Sequence, residues 1–318
     1  MQRLLITRPL PEAVLAAARE GFDTVVRDST RPLTPEELRT SLTEFDAVLP
    51  TLGDAYSAEV FASVPAPRCR MLANFGVGYN HIDVAAARAA GLVVTNTPGA
   101  VTDATADIAV MLMLMSARRA GEGERLVRAG AWEGWHPTQM LGLHVTGKTA
   151  GIVGMGRIGK AIARRCHHGF GMEVVFFNRS PVADPGVPAR QLPTLQAVMA
   201  AADVVLVAVP GGPATRHLID GAALAAMKPT AHLVNISRGD VIDEAALIAV
   251  LEAAGIAGAG LDVYEREPEV PERLRALESA VLLPHLGTAA LEVRTAMGLM
   301  AVENLTAFFA GREPPNPV

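Results

Sequence analysis

Cysteine, basic runs and long apolar segments are all scarce in this chain, and each scarcity excludes something. Cys69 and Cys166 are the only cysteines in 318 residues. A disulfide framework is therefore excluded, and no metal-type spacing exists. Cys166 shares an expected helix face with Ile158 and Ile162, so it reads as a small core hydrophobe. The opening MQRLLITRPL lacks the apolar stretch and cleavage pattern of a secretory leader. Ile108 to Met115 is apolar but too short to span a bilayer, and Asp103 and Asp107 precede it. It is expected as a helix apolar on all sides, buried between two domains. No lysine–arginine cluster stands out, and the net charge is -5, which argues against nucleic acid as a partner. No membrane and no metal are expected, and a cytoplasmic location is the default.

What is present is a soluble, well-buried composition, 50% hydrophobic and 19% charged. Short apolar runs alternate with helical stretches, the pattern of parallel βαβ units. Strands are expected at Arg3–Thr7, Ala47–Leu49, Met71–Asn74, Val93–Thr95, Thr149–Val153, Glu173–Asn178, Val204–Val209, His232–Ile236, Gly258–Asp262 and Ala280–Leu283. Helices are expected at Glu12–Glu20, Pro35–Leu42, Ala85–Ala90, Asp103–Ala117, Ile158–Cys166, Leu195–Ala201, Ala222–Met227, Glu244–Ala253 and Leu291–Ala310, the last amphipathic.

The most informative stretch is TAGIVGMGRIG, Thr149 to Gly159. An apolar strand runs into Gly154, Gly156 and Gly159 at GxGxxG spacing, and a helical pattern follows. The first glycine permits a tight turn, the second lets a pyrophosphate approach bare backbone, and the third lets the helix pack on the strand. The helix N-terminus then faces the phosphates. This names a dinucleotide as ligand. Strand-sized segments already precede the motif, so a separate α/β domain is expected there.

About twenty residues beyond the glycine turn, NAD-binding versions place an acid on the ribose hydroxyls. Here the second strand ends in Asn178, Arg179 and Ser180. No carboxylate would repel a 2′-phosphate, and Arg179 and Ser180 offer donors to one. NADP(H) is therefore expected over NAD(H), with NAD(H) still possible. The alternative leaves Arg179 as a solvated arginine stacked on adenine.

Three later strand ends carry chemistry, at the place where open parallel sheets bind ligands. The first leads into Ser237, Arg238, Gly239 and Asp240, the second into VYEREPEV, the third into Pro284, His285, Leu286 and Gly287. Arg238 can grip a carboxylate through two parallel hydrogen bonds. His285 can protonate a carbonyl oxygen and reverse the step in oxidation. A nearby carboxylate would favour its charged form, and Glu265, Glu267 and Glu269 all compete for that role. Each also has a plainer reading: a strand-end arginine paired with Asp240, a core histidine, a solvated acidic loop.

The chain resembles the D-isomer-specific 2-hydroxyacid dehydrogenases over almost its whole length. The segments FGVGYNHIDVAAA, GIVGMGRIG, NISRGDVIDEAAL, AGLDVYEREP and LPHLGTAA carry the resemblance, in the family's order. It implies an α/β fold of two Rossmann-like or flavodoxin-like domains with parallel sheets, the cofactor domain inserted into the substrate domain. The expected boundaries are 1–98 with 288–318 for the substrate domain and 99–287 for the dinucleotide domain, with a dimerisation arm at about 118–146. Hinges are expected near Pro98–Gly99 and Gly287–Thr288, closing to exclude water.

The resemblance also implies roles. Arg238 would bind the substrate carboxylate, Glu267 would orient and charge the histidine, and His285 would be the acid/base. Gly154, Met155, Gly156, Arg157, Ile158, Gly159, Asn178, Arg179, Ser180, Val209, Pro210, Thr215, Ile236, Ser237, Asp262 and Thr105 would line the cofactor. Leu52, Val77 and Gly78 would line the substrate, with backbone amides at Val77–Gly78 assisting Arg238. In a homodimer, Trp135 would reach the partner's substrate pocket, although Trp132 could serve.

Within the family the chain looks most like the glyoxylate/hydroxypyruvate reductase branch. The expectation is NADPH-dependent reduction of a small 2-oxo acid to the D-hydroxy acid. The alternatives are an NAD-linked D-lactate-type or bulky 2-oxo acid dehydrogenase, and a dinucleotide-sensing corepressor-like binding protein. No regulatory domain of the kind many phosphoglycerate dehydrogenases carry is expected. It carries Glu267 where formate dehydrogenases use glutamine, which disfavours formate oxidation.

Overall fold

A computed structural model describes all residues, 1–318. The chain forms two compact units, Met1–Val101 with Thr288–Val318, and Thr102–Gly287. The first break falls at Val101, just beyond the expected Pro98–Gly99.

The first unit alternates strand and helix: β1 (Arg3–Ile6), α1 (Glu12–Gly21), β2 (Asp23–Val26), α2 (Pro35–Glu44), β3 (Ala47–Leu49), α3 (Ala58–Ala62), β4 (Met71–Ala73), α4 (Val84–Ala89) and β5 (Val93–Thr95). All pairings are parallel, in the order β2-β1-β3-β4-β5. The helices start where the local chemistry dictates. Thr34 and Glu37 form a capping box ahead of α2, with Pro35 in its first turn. The Ser57 and Asp83 side chains accept the Val60 and Ala86 amides in the first turns of α3 and α4.

The second unit begins with α5 (Thr102–Ala117) and α6 (Ala120–Arg128). There follow β6 (Thr149–Val153), α7 (Arg157–Arg164), β7 (Glu173–Phe177), β8 (Ala189–Gln191), α8 (Leu195–Ala201), β9 (Val204–Val207), α9 (Gly221–Ala225), β10 (His232–Asn235), α10 (Glu244–Glu252), β11 (Gly258–Leu261), α11 (Glu272–Arg275) and β12 (Ala280–Leu282). The strands form one parallel sheet in the order β12-β11-β10-β9-β6-β7-β8. β9, β10 and β11 are buried along their whole length, as expected of strands covered on both faces. The final helix, α12 (Leu291–Phe309), returns to the first unit and packs on α1 and β4. Gly298 lets α12 approach Val14.

α5 departs from expectation. It lies against β10 and β11 of its own unit, and Met111 on its far side is 36% exposed. The helix is therefore not buried on all sides within that unit. Its close seat depends on Gly260, where a side chain would meet Leu112. Strands β2 and β8 and helices α3, α6 and α11 were not expected. The two strands are half-exposed sheet edges without an apolar run, and α6 buries no residue. No helix is long and apolar enough to cross a membrane.

Candidate active site

The glycine loop after β6 divides its three glycines by task. Gly154 holds φ +98 beside the Ala208 carbonyl, where a residue with Cβ would be strained and obstructed. A methyl on Gly159 would overlap the Gly154 carbonyl oxygen, so this glycine seats α7 on the turn. Around Gly156, by contrast, no protein atom lies within 4 Å of where a Cβ would be. Gly156 also begins α7 without a side-chain cap. A bare backbone facing open space at an uncapped helix start fits a pyrophosphate.

Beyond β7, Asn178 Oδ1 accepts the Met155 amide at 3.2 Å, and its Nδ2 donates to the Ser180 carbonyl at 2.9 Å. Asn178 thus shapes the loop with its side chain. Gln191 on β8 secures the same turn, donating to the Asn178 and Ser180 carbonyls at 3.1 Å each. Arg179 and Ser180 are exposed, as is Arg157 at the start of α7. Thr215 donates to the Pro210 carbonyl, 2.7 Å, in the loop after β9 that includes Val209.

The other strand ends bring the reactive groups together. Buried Asn235, the last residue of β10, organises the turn after it. Its Oδ1 accepts the Ser237 amide at 3.0 Å and the Ser237 hydroxyl at 2.9 Å, and its Nδ2 donates to the Arg238 carbonyl at 2.9 Å. Ile236 and Ser237 are buried there. Burial lowers the Arg238 guanidinium pKa, while the charges of Glu267 and Asp240 pull it back up.

Glu267 and His285 meet directly. Glu267 Oε2 lies 2.8 Å from His285 Nδ1, and its Oε1 accepts the Tyr264 amide at 3.0 Å. Burial would raise the Glu267 pKa. The His285 hydrogen bond and charge, the Tyr264 amide and Arg238 outweigh it, and the carboxyl sits below its ordinary value. With Nδ1 engaged, Nε2 is the nitrogen left to meet a ligand. Glu265 turns instead to His217 and Arg216, at 3.1 and 3.3 Å. Glu269 forms neither a hydrogen bond nor an ion pair with the imidazole.

Asp262, at the end of β11, is 1% exposed. Its carboxylate accepts the Leu286 and Gly287 amides at 2.6 and 2.8 Å, and its carbonyl accepts the His285 amide at 3.0 Å. Burial raises its pKa, opposed by those two amides and by His285. Thr105 on α5 donates to the Gly287 carbonyl at 3.2 Å. A glycine turn, an arginine, a buried acid and a carboxylate-held imidazole thus share the C-terminal edge of one parallel sheet.

The profile of the D-isomer specific 2-hydroxyacid dehydrogenase NAD binding domain matches residues 110–287. A glyoxylate reductase from Pyrococcus furiosus is 43% identical over 99% of this chain and 95% of that protein. A glycerate dehydrogenase from Hyphomicrobium methylovorum is 35% identical over 98% of this chain and 97% of that protein. The chain belongs to the D-isomer specific 2-hydroxyacid dehydrogenase family. Among solved structures, an NADPH-dependent glyoxylate/hydroxypyruvate reductase from Sinorhizobium meliloti, in complex with NADP and malonate, superposes with TM-score 0.88. It is 36% identical and covers 100% of this chain and 96% of that one. As a 2-hydroxyacid dehydrogenase the chain is an oxidoreductase with a nicotinamide dinucleotide as cofactor.

In the dehydrogenase's first unit, Leu52 and Val77 are 37% and 38% exposed. Asn74 Nδ2 donates to the Gly76 and Gly78 carbonyls at 3.0 Å, and Asn96 Nδ2 to the Val77 carbonyl at 2.9 Å. The Val77 and Gly78 amides donate to no protein group. In the segment after α6, Trp135 is 79% and Trp132 52% exposed. No group of three histidine, cysteine or acidic side chains is arranged to hold a metal ion.

Sequence reasoning missed three supporting residues: Asn235, Gln191 and Tyr264. Asn235 had a signal, a polar residue set among the apolar Leu233, Val234 and Ile236. Gln191 had none, because it sits on an edge strand without an apolar run. The Tyr264 contact uses a backbone amide, which any residue but proline could supply.

Proposed function

We propose that this chain reduces a small 2-oxo acid, of glyoxylate or hydroxypyruvate size, to the 2-hydroxy acid with NADPH. The observation that carries the reading is the Glu267–His285 pair, 2.8 Å apart, on the sheet edge that also holds Arg238 and the glycine loop. Arg238 binds the substrate carboxylate through its planar fork. Leu52, Val77 and Gly78 are the first unit's candidates for substrate contact. His285, held at Nδ1 by ionised Glu267, donates the Nε2 proton to the carbonyl oxygen and regains one from solvent. A bound nicotinamide supplies the hydride to the carbonyl carbon. In the oxidative direction His285 accepts the hydroxyl proton instead.

The coenzyme preference rests on the end of β7. No carboxylate stands there, and Arg179 and Ser180 are exposed donors for a 2′-phosphate. Gly154, Met155, Gly156, Arg157, Ile158 and Gly159 take the pyrophosphate. Val209, Pro210, Thr215, Ile236, Ser237, Asp262 and Thr105 line the remainder. The exposed Trp135 suits a homodimer in which it completes the partner's pocket.

Steady-state kinetics over a 2-oxo acid panel with both reduced coenzymes tests the reading. Expected is a higher kcat/KM with NADPH, falling by about tenfold or more in R179A, with glyoxylate and hydroxypyruvate ahead of phenylpyruvate. A clear NADH preference, or phenylpyruvate as the best substrate, would contradict it.

A further inference from the structure

His285 holds φ +55, in the left-handed region that residues with a Cβ rarely occupy. The surrounding structure must hold it there. On the C-terminal side, Asp262 takes the amides of His285, Leu286 and Gly287. On the N-terminal side, Pro284 has no amide to give, and the carbonyl of Leu283 lies just beyond the end of β12. That carbonyl is met by the hydroxyl of Tyr264, which donates at 2.9 Å and lies 3.5 Å from the Leu261 carbonyl.

We propose that Tyr264 is a positioning residue that ties the two halves of the Glu267–His285 pair together. Its hydroxyl fixes the chain two residues before the imidazole, and its amide fixes the carboxylate at 3.0 Å. The Arg238 turn leans on the same residue, because Gly239 packs against the Tyr264 carbonyl so closely that a side chain there would overlap it. The ring is 8% exposed and sits in the core formed with β10, β11 and α10. Burial raises the phenol's pKa, so it remains a donor throughout the neutral range. One side chain therefore couples the core of the unit to the strained backbone of the acid/base.

The kinetic readout rests on the proposed reductase reading. A spectroscopic readout does not. Y264F removes one oxygen and keeps the ring in place. Expected is a kcat lower by between about tenfold and a hundredfold, with KM and the NADPH dissociation constant within about twofold of wild type. The kcat–pH profile should also change shape. In the ¹H–¹⁵N spectrum of the histidine rings, assigned with H285Q, the downfield Nδ1 proton of His285 should move upfield or broaden away. Unchanged kcat and an unchanged resonance would overturn the proposal. So would a loss of kcat with the resonance intact, because positioning would not then be the cause. If wild type reduces no 2-oxo acid, the reductase reading fails. The resonance alone then decides: its loss in Y264F supports the tether, and its persistence refutes it.

Discussion

In the proposed reaction Glu267 must stay ionised in a half-buried place. Its partners hold its pKa below the ordinary value of 4.5, so at acid pH the carboxyl is more ionised than a free glutamate. The sign follows for stability as well. A lowered folded-state pKa adds stability above the unfolded value, and that stability is lost as pH falls through the folded one. Any acid-side loss of kcat/KM due to Glu267 should therefore have its midpoint below that of an ordinary glutamate. E267Q keeps the shape but cannot hold an imidazolium by charge. It should lower neutral-pH turnover by about a hundredfold. Arg238→Lys, a point charge in place of a fork, should raise the substrate KM by about tenfold, read from initial rates.

The elements carry a different kind of prediction. Gly159 and Gly156 have the same side chain and opposite surroundings. Gly159 seats α7 against the β6 turn, whereas Gly156 faces open space. Gly159→Ala should therefore destabilise the second unit, by about 2 kcal/mol or more through overpacking, visible as a lower melting temperature without coenzyme. Gly156→Ala should melt like wild type yet bind NADPH about tenfold or more weakly in a fluorescence titration, since the added methyl occupies the phosphate's approach. These two glycines were legible in the sequence because the motif lies between an apolar strand and a helical pattern. The apolar runs of β3, β6, β9, β10 and β11 were legible for the same reason: a strand covered on both faces leaves no polar interruption. The edge strands β2 and β8 were not, because half-exposed strands lose that pattern. α6 buries nothing, so no apolar stripe announced it.

At the scale of the whole molecule, the sequence pattern reached the alternating architecture and the residue types at the strand ends. It did not choose among Glu265, Glu267 and Glu269, because loop geometry decides which carboxylate meets an imidazole. The family resemblance chose Glu267, and the contact lies there at 2.8 Å. Nor did the sequence mark His232 at the start of β10 as unusual. It is 5% exposed, hydrogen-bonded to Ser116 at 2.8 Å, and burial lowers its pKa from 6.5 to about 4. Between those values the unfolded chain binds a proton that the folded chain refuses, so stability falls as pH falls. Denaturant unfolding should lose on the order of 1–3 kcal/mol from this group over that window, and H232L should remove that part of the slope.

The proposed reaction turns on proton transfer from a carboxylate-held imidazole to a 2-oxo acid. It is tested most directly by kcat for glyoxylate and hydroxypyruvate with saturating NADPH, in wild type and in H285Q, with coenzyme binding checked in both. H285Q is expected to bind NADPH as wild type does and to lose between about a hundredfold and ten-thousandfold in kcat. A wild-type kcat in H285Q would contradict it.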